Sequence, residues 1–347
     1  MDMRLPLKFT ETVPLQDRFS RELQELRVSV IDRCNFRCTY CMPADSMQGR
    51  GVFLPLEKLL TDHEIEDMVR AFVDLGVRKL RITGGEPLIR PGLPALIEKL
   101  AAIPRLNDIA LTTNGVMLNR LSGDLAEAGL NRITVSLDTL DRKVLSEMSG
   151  GKAKLEQILD GIEAAENAGF DRLKINTVVQ KGVNDHTVMD LVKFFRGTPH
   201  RLRLIEYMDV GNSNHWSEND VVPNAVWLEK IGKKWPIRPI DSGNPAETAR
   251  RYEYLDGQGE IGFISSITQP FCGGCTRARV TADGIFYTCL FSNKGSNLMP
   301  LIRHSEEPGD LSRKISSIWS ARNDRYSEER GLPGHDREKV EMYRLGG

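Results

Sequence analysis

From Leu26 to about Met208, short aliphatic and β-branched runs alternate with longer stretches in which apolar residues recur every three or four positions. The first pattern is that of a buried strand, the second that of a helix packed by one face. Strands are expected at 26–31, 79–83, 109–112, 132–137, 173–179 and 202–207. Between the first two, Ile65, Met68, Val69, Phe72 and Val73 share one helical face, and Gly76 stands where a left-handed stop belongs. Further helices are expected near 93–103, 118–128, 155–168 and 186–195.

Strands that alternate with helices form a parallel sheet with right-handed crossovers, because a right-twisted strand returns to its own sheet only in that sense. The expected fold class is therefore α/β, an incomplete (β/α)6 barrel of the triosephosphate-isomerase type, with the polar residues that follow each strand gathered at one rim. Chemistry is expected at that rim. Beyond Tyr207 the rhythm breaks into a polar stretch through Asn219, and from Pro223 onward short strands without a clear repeat suggest an added C-terminal layer. Residues 1–222 are read as the barrel with an N-terminal extension, and 223–347 as the C-terminal region.

Composition narrows the partners. Of 347 residues 40% are hydrophobic and 27% charged, ordinary values for a globular chain. A formal charge of -1 argues against a surface for a nucleic-acid polymer, so anion binding must be local. No run approaches the roughly 18 apolar residues that span a bilayer, and the first twenty residues lack the apolar centre of a signal peptide. No membrane partner and a cytoplasmic location are expected.

In a reducing compartment the six cysteines are better read as metal ligands or catalytic thiols than as disulfides. Cys34, Cys38 and Cys41 form C-x3-C-x2-C directly after the first strand. Three thiolates on a [4Fe-4S] cube leave one iron open to a small chelating molecule. A zinc site completed by a histidine, with His63 nearest, is the alternative. After the second strand stands Thr83-Gly84-Gly85-Glu86-Pro87, where glycines would let backbone approach a ligand closely, or would simply turn the chain.

The C-x3-C-x2-C motif, with Tyr40 before its last cysteine, and the glycine-rich turn together resemble the signatures of the radical S-adenosylmethionine superfamily. That resemblance implies a 5'-deoxyadenosyl radical, made from S-adenosylmethionine at the cluster, that removes a hydrogen atom from substrate.

Cys272, Cys275 and Cys289 make a second triplet, C-x2-C-x13-C, again without a fourth cysteine. A second open cluster, a zinc site missing a ligand, or a cluster completed by a residue such as His304 all fit this spacing. Arg277 and Arg279 alternate beside it, so in an extended segment both guanidinium forks project from one face and suit phosphate oxygens. Arg27 and Arg81, cations within expected barrel strands, suit the same task or a buried ion pair with Glu86 or Asp138. Arg203 is a weaker candidate of this kind.

From about Arg18 to the end the sequence resembles the GTP 3',8-cyclase (MoaA) family of molybdenum cofactor biosynthesis. The marks are 32–43, 81–90, Thr112-Thr113-Asn114-Gly115, Val135-Ser136-Leu137-Asp138, 205–211, 262–279 and the terminal Gly346-Gly347. The resemblance implies two [4Fe-4S] clusters, S-adenosylmethionine contacts at Tyr40, Gly85, Ser136 and Met208, and GTP contacts at Arg27, Arg81, Thr112, Lys174, Arg277, Ala278 and Arg279. It also implies that the tail with Gly346 and Gly347 enters the active site and assists radical initiation. In the implied reaction the radical takes hydrogen from C3' of GTP, and C3' then attacks C8. The implied partners are GTP, a reducing electron donor, and the cyclic pyranopterin monophosphate synthase that receives the product; a homodimer or a monomer is expected. His215 departs from the family pattern, which has glycine there, and residues 1–17 and 241–260 match weakly and receive no role. A radical peptide maturase and a zinc-stabilised binding module are the competing readings.

Overall fold

The computed structural model describes residues 14–44, 53–305, 307–331 and 339–346. Its N-terminal part runs β1 (Glu25–Ser29), α1 (Asp62–Asp74), β2 (Lys79–Thr83), α2 (Leu93–Ala101), β3 (Asp108–Thr113), α3 (Leu118–Glu127), β4 (Arg132–Ser136), α4 (Arg142–Met148), α5 (Leu155–Asn167), β5 (Lys174–Val179), α6 (Val188–Phe195) and β6 (Arg201–Glu206). All six expected strands are present, each within about two residues of its expected limits.

Local chemistry accounts for the element ends. α1 starts at a capping box in which Thr61 and Glu64 each accept the other's backbone N–H, and it stops before Gly76 at φ +118°. α4, which apolar periodicity did not announce, is nucleated by Asp141, whose carboxylate accepts from the N–H groups of Lys143 and Val144. The expected helix at 186–195 begins as a 3-10 turn, Asp185–Thr187, before α6.

The C-terminal part contains α7 (Asn224–Lys234), β7 (Ile237–Ile240), β8 (Arg250–Tyr254), β9 (Glu260–Ile264), β10 (Arg277–Val280), β11 (Ile285–Tyr287), β12 (Ser296–Asn297), α8 (Met299–His304), α9 (Asp310–Ser320), α10 (Tyr326–Glu329) and α11 (Met342–Leu345). It joins the barrel by edge pairing. Twelve strands form one sheet in the order β12-β11-β10-β1-β2-β3-β4-β5-β6-β9-β8-β7, with β10 parallel to β1 and β9 parallel to β6. Eight contiguous strands, β10 through β9, are thus parallel, and antiparallel pairs finish both edges.

The apolar alternates of the strands, such as Leu26, Val28, Leu80, Ile82, Leu111, Ile133, Ile175 and Leu204, pack outward into one continuous core with Ile65, Met68, Phe72, Leu96 and Ile158 of the helices. The remaining alternates face the barrel interior, and they are polar. Register places Arg279, Arg27 and Arg81 in one row, and Arg277, Glu25 and Lys79 in the row below. Thr134 lies beside Lys174, and Asn176 beside Arg203. A sheet with charged residues on its concave face encloses a cavity rather than a packed centre. Among the described residues no helix is long and apolar enough to cross a membrane.

Candidate active site

That interior is a cavity of about 610 Å³, and all six cysteines line it, each partly buried and none in a disulfide. The first triplet sits in the loop leaving β1. Its backbone is fastened to the end of α4, where Thr39 N donates to Met148 O at 2.9 Å and Arg37 N to Ser149 O at 3.0 Å. Arg37 also donates to the carbonyls of Cys34 and Phe36. Burial pushes the Cys34 thiol up to about 11 and raises those of Cys38 and Cys41 as well, so the free loop does not by itself favour thiolates.

The second triplet lies around the start of β10 and the end of β11, fastened by a cluster for which the sequence offered no local signal. Buried Asp17 accepts from Arg21 at 2.7 Å and from Arg322 at 3.2 Å. The same arginines donate to the carbonyls of Cys272 (2.9 Å) and Cys275 (2.8 Å). The N-terminal segment left without a role thus contributes Asp17 to the support of a cysteine loop. Burial would raise the Cys275 thiol, but Arg277 and Arg322 outweigh it and bring it down to about 6; burial, with Asp324 nearby, pushes Cys289 up to about 12.

Among the described residues no three His, Cys, Asp or Glu side chains are arranged to hold a single metal ion. His63 and His304 are exposed, His63 beside Asp67 and His304 at the end of α8, and neither lines the cavity. Among the described residues, then, neither histidine is placed to complete a zinc set with a cysteine triplet. Two sets of three soft sulfur donors, each facing one shared cavity, fit iron–sulfur clusters with an open iron.

Tyr40, Gly85, Ser136 and Met208 all line the cavity. Tyr40 donates its hydroxyl to Asp138 at 2.8 Å, across from β1 to the end of β4. Burial pushes the Asp138 carboxyl up to about 6 and that of Glu86 up to about 7, although Glu86 accepts from Thr113, Asn114 and Leu88. The glycine turn is also packed tightly against protein backbone. A Cβ on Gly85 would lie 2.1 Å from the Arg33 carbonyl oxygen and one on Gly84 2.6 Å from that of Ile31, so these glycines permit a close approach to the cysteine loop. Backbone bonds from Gly85 to Ile31 and from Glu86 to Arg33, both 2.8 Å, lock the two together.

Of the residues expected to hold GTP, Arg27, Arg81, Thr112, Lys174, Arg277 and Arg279 line the cavity. Ala278 does not; it alternates with its two arginine neighbours, and its side chain is buried in the outer core. Arg27 and Arg81 pair with neither Glu86 nor Asp138 but with Glu25, at 3.1 and 3.7 Å. Arg203 and Asn176 join the set, each with a buried polar atom that has no hydrogen-bond partner among the described residues; the period-2 polar pattern of β5 and β6 carries their signal. Positive charge is in excess. Burial and the neighbouring arginines push Arg27 down to about 10, Arg203 down to about 9 and Lys174 down to about 6. Such a site is stabilised by an anion with several acceptor oxygens.

Gly346, at φ +73°, lies where a Cβ would be 1.8 Å from Thr83 Oγ1, and its carbonyl accepts from Arg279. Gly347 lies outside the described residues. His215 has φ +48°, so the chain keeps the left-handed backbone that favours glycine at this point.

The sequence model of the radical SAM superfamily matches residues 28–195, and that described as Molybdenum Cofactor Synthesis C matches residues 200–328. A GTP 3',8-cyclase of Xanthomonas campestris pv. campestris (strain B100) is 51% identical, over 96% of this chain and 98% of its own. A GTP 3',8-cyclase of Acidothermus cellulolyticus is 46% identical, over 97% and 100%. Among solved structures, Streptococcus suis SuiB bound to S-adenosylmethionine superimposes with a TM-score of 0.59 at 16% identity, covering 86% of this chain and 69% of SuiB. Native anSMEcpe with bound AdoMet gives 0.55 at 16%, covering 93% and 88%. At those identities the structures share the fold.

Proposed function

The chain belongs to the GTP 3',8-cyclase family of radical SAM enzymes, and from that premise we propose that its barrel holds S-adenosylmethionine at the first cysteine triplet and GTP between the row of cations and the second. The enzyme is a lyase that converts GTP to (8S)-3',8-cyclo-7,8-dihydroguanosine 5'-triphosphate, the first step of molybdenum cofactor biosynthesis. When bound, an iron–sulfur cluster at the first triplet would supply the electron for reductive cleavage of S-adenosylmethionine, the source of the radical chemistry that this reading directs at C3' of GTP.

The chain's own residues bind, orient and exclude water. Cys34, Cys38 and Cys41 would hold the first [4Fe-4S] cluster, and Cys272, Cys275 and Cys289, which line the same cavity, would hold a second. Tyr40 and Ser136 border S-adenosylmethionine at strand ends, with the backbone at Gly85 and Met208 completing that wall. Arg27, Arg81, Lys174, Arg203, Arg277 and Arg279 meet the triphosphate, with Thr112 beside Arg81 at 3.4 Å. Ala278 contributes through its backbone alone. The observation that carries this reading is the register-matched row Arg279, Arg27 and Arg81, turned into a cavity bordered by both triplets.

Residues 1–222 form the barrel unit of this proposal, and 223–347 the unit that brings the second triplet and the tail. The product passes to the cyclic pyranopterin monophosphate synthase, a reductant supplies the electron, and the enzyme works in the cytoplasm as a homodimer or monomer. Near-neutral charge supports the absence of a nucleic-acid polymer among its partners. The deciding experiment is anaerobic turnover of reconstituted, reduced protein with GTP deuterated at C3'. Deuterium in 5'-deoxyadenosine is expected; cleavage of S-adenosylmethionine without transfer would defeat the assignment of the abstracted position.

A further inference from the structure

The last described turn of the chain is tied to the loop after β6 by polar contacts whose residues do not line the cavity. Asp209 is buried and follows Met208 directly. One of its oxygens accepts from Tyr326 Oη at 2.7 Å and from Lys339 Nζ at 2.8 Å, and the other from Arg330 at 2.8 and 3.1 Å. The Tyr326 ring stacks on Phe291, which lines the cavity. Next along the loop, Asn212 Nδ2 donates to Lys339 O at 2.6 Å, while Lys339 N donates to Asn212 Oδ1 at 2.9 Å. The Glu341 carboxylate accepts from Asn212 N at 3.1 Å and Ser213 Oγ at 3.0 Å. It lies against Gly211, where a Cβ would meet it at 2.4 Å and where φ is +82°.

Glu341 immediately precedes α11, so these contacts fix where the final helical turn begins. A four-residue helix cannot hold itself in water, and its placement has to come from outside. Gly346, one residue beyond it, then falls against Thr83 with its carbonyl on Arg279. A carboxylate that accepts from two cations and a phenol is a stiff anchor for such a segment.

We propose that Asp209, with Asn212 and Glu341, forms the positioning site for the C-terminal tail: the loop that carries Met208 sets the register of the tail, and so the distance of Gly346 from the glycine-rich turn. This rests on the reading that the terminal glycines act in radical initiation. None of these three residues touches the reacting atoms; they act through Gly346.

The test uses the reconstituted full-length enzyme with Asp209→Ala, Glu341→Ala and their combination, beside a chain lacking Gly346 and Gly347. The expected result is a fall in kcat on the order of a hundredfold for each single variant, as for a misplaced reacting group. The KM for GTP, the affinity for S-adenosylmethionine and the iron content should stay unchanged. Hydrogen exchange at the amides of α11 should rise in step. The double variant should lose no more than either single one, because both serve one element. Normal turnover in both single variants, while the truncated chain is inactive, would overturn the anchor alone. Loss of iron or of S-adenosylmethionine affinity in both would also overturn it, assigning these residues to the fold or to Met208. A truncated chain with normal turnover would defeat the reading of the tail, and the anchor's function with it.

Discussion

Arg279 donates through Nη1 to the carbonyl oxygen of Gly346 at 2.6 Å, so a cation of the cysteine-lined cavity is bonded to the tail of its own chain. Arg279 is buried and crowded by Arg27 and Arg277, and burial together with those charges holds its guanidinium well below its ordinary value. A carbonyl dipole relieves that crowding only in part, and a triphosphate would relieve it further. On the proposed reading, tail placement and GTP binding meet at this one side chain.

Gly346→Ala should separate the tail's placement from folding. The new methyl collides with Thr83 at a φ that L residues rarely adopt, so the tail must leave its seat. Product formation is expected to fall at least about tenfold, with a melting temperature close to that of the parent, because the barrel core does not involve this residue. Equal activity in a steady-state assay would count against the placement described.

GTP binding should take up a proton at Lys174. Burial and the surrounding arginines lower this amine from 10.5 to about 6, so between those values it is neutral in the free fold and charged in the unfolded chain. The unfolded chain then binds more protons, and this group makes stability rise with pH across that window. A triphosphate restores the charge. Affinity should accordingly weaken as pH rises from 7 toward 9, by up to about tenfold per unit for one linked proton. Calorimetry in buffers of different ionisation enthalpy should show the uptake, and Lys174→Met should abolish it.

Glu25→Gln should destabilise the free enzyme more than the GTP complex. Burial would raise this carboxyl, but Arg27, Arg81 and Arg277 outweigh it and hold it well below the usual carboxylate range. Its contribution is present above the unfolded value near 4.5 and is lost as pH falls through the lower folded one. Removing the charge leaves Arg27 and Arg81 unneutralised, at a cost of about 2 kcal/mol given their partial exposure. Thermal melts with and without GTP check this: a smaller loss with GTP is expected, and identical losses would mean that the triphosphate does not meet these arginines.

Arg322→Ala should cost about 3–5 kcal/mol, because Asp17 and the Cys275 carbonyl lose a buried partner together. Iron per chain should drop by about half while S-adenosylmethionine still binds. Full iron retention would show that the second triplet does not depend on the Asp17 cluster.

Much of this was legible in sequence because the relevant signals are local. Alternation put Arg277 and Arg279 on one face of an extended segment, Arg27 and Arg81 stood out as cations within expected barrel strands, and cysteine spacing marked both loops. What was not legible depends on partners distant in the chain. Nothing near Arg277–Val280 says that it will pair with Glu25–Ser29, so the C-terminal region read as a layer when it also lengthens the sheet. Asp17 and Arg322 make sense only together, and Gly85 is explained by Arg33, far from it in sequence. At Ala278 the motif marks a position whose side chain faces the outer core, so only its backbone is available to the cavity.

Because β1 has β2 on one side and β10 on the other, its two edges are covered at very different moments of synthesis. A ribosome releases the first cysteine loop and most of the barrel while one edge of β1 is still bare, and an uncovered parallel edge invites pairing with other chains. Folding must therefore wait for the far end of the polypeptide, and a premature stop before β10 would yield an aggregating fragment rather than a smaller enzyme.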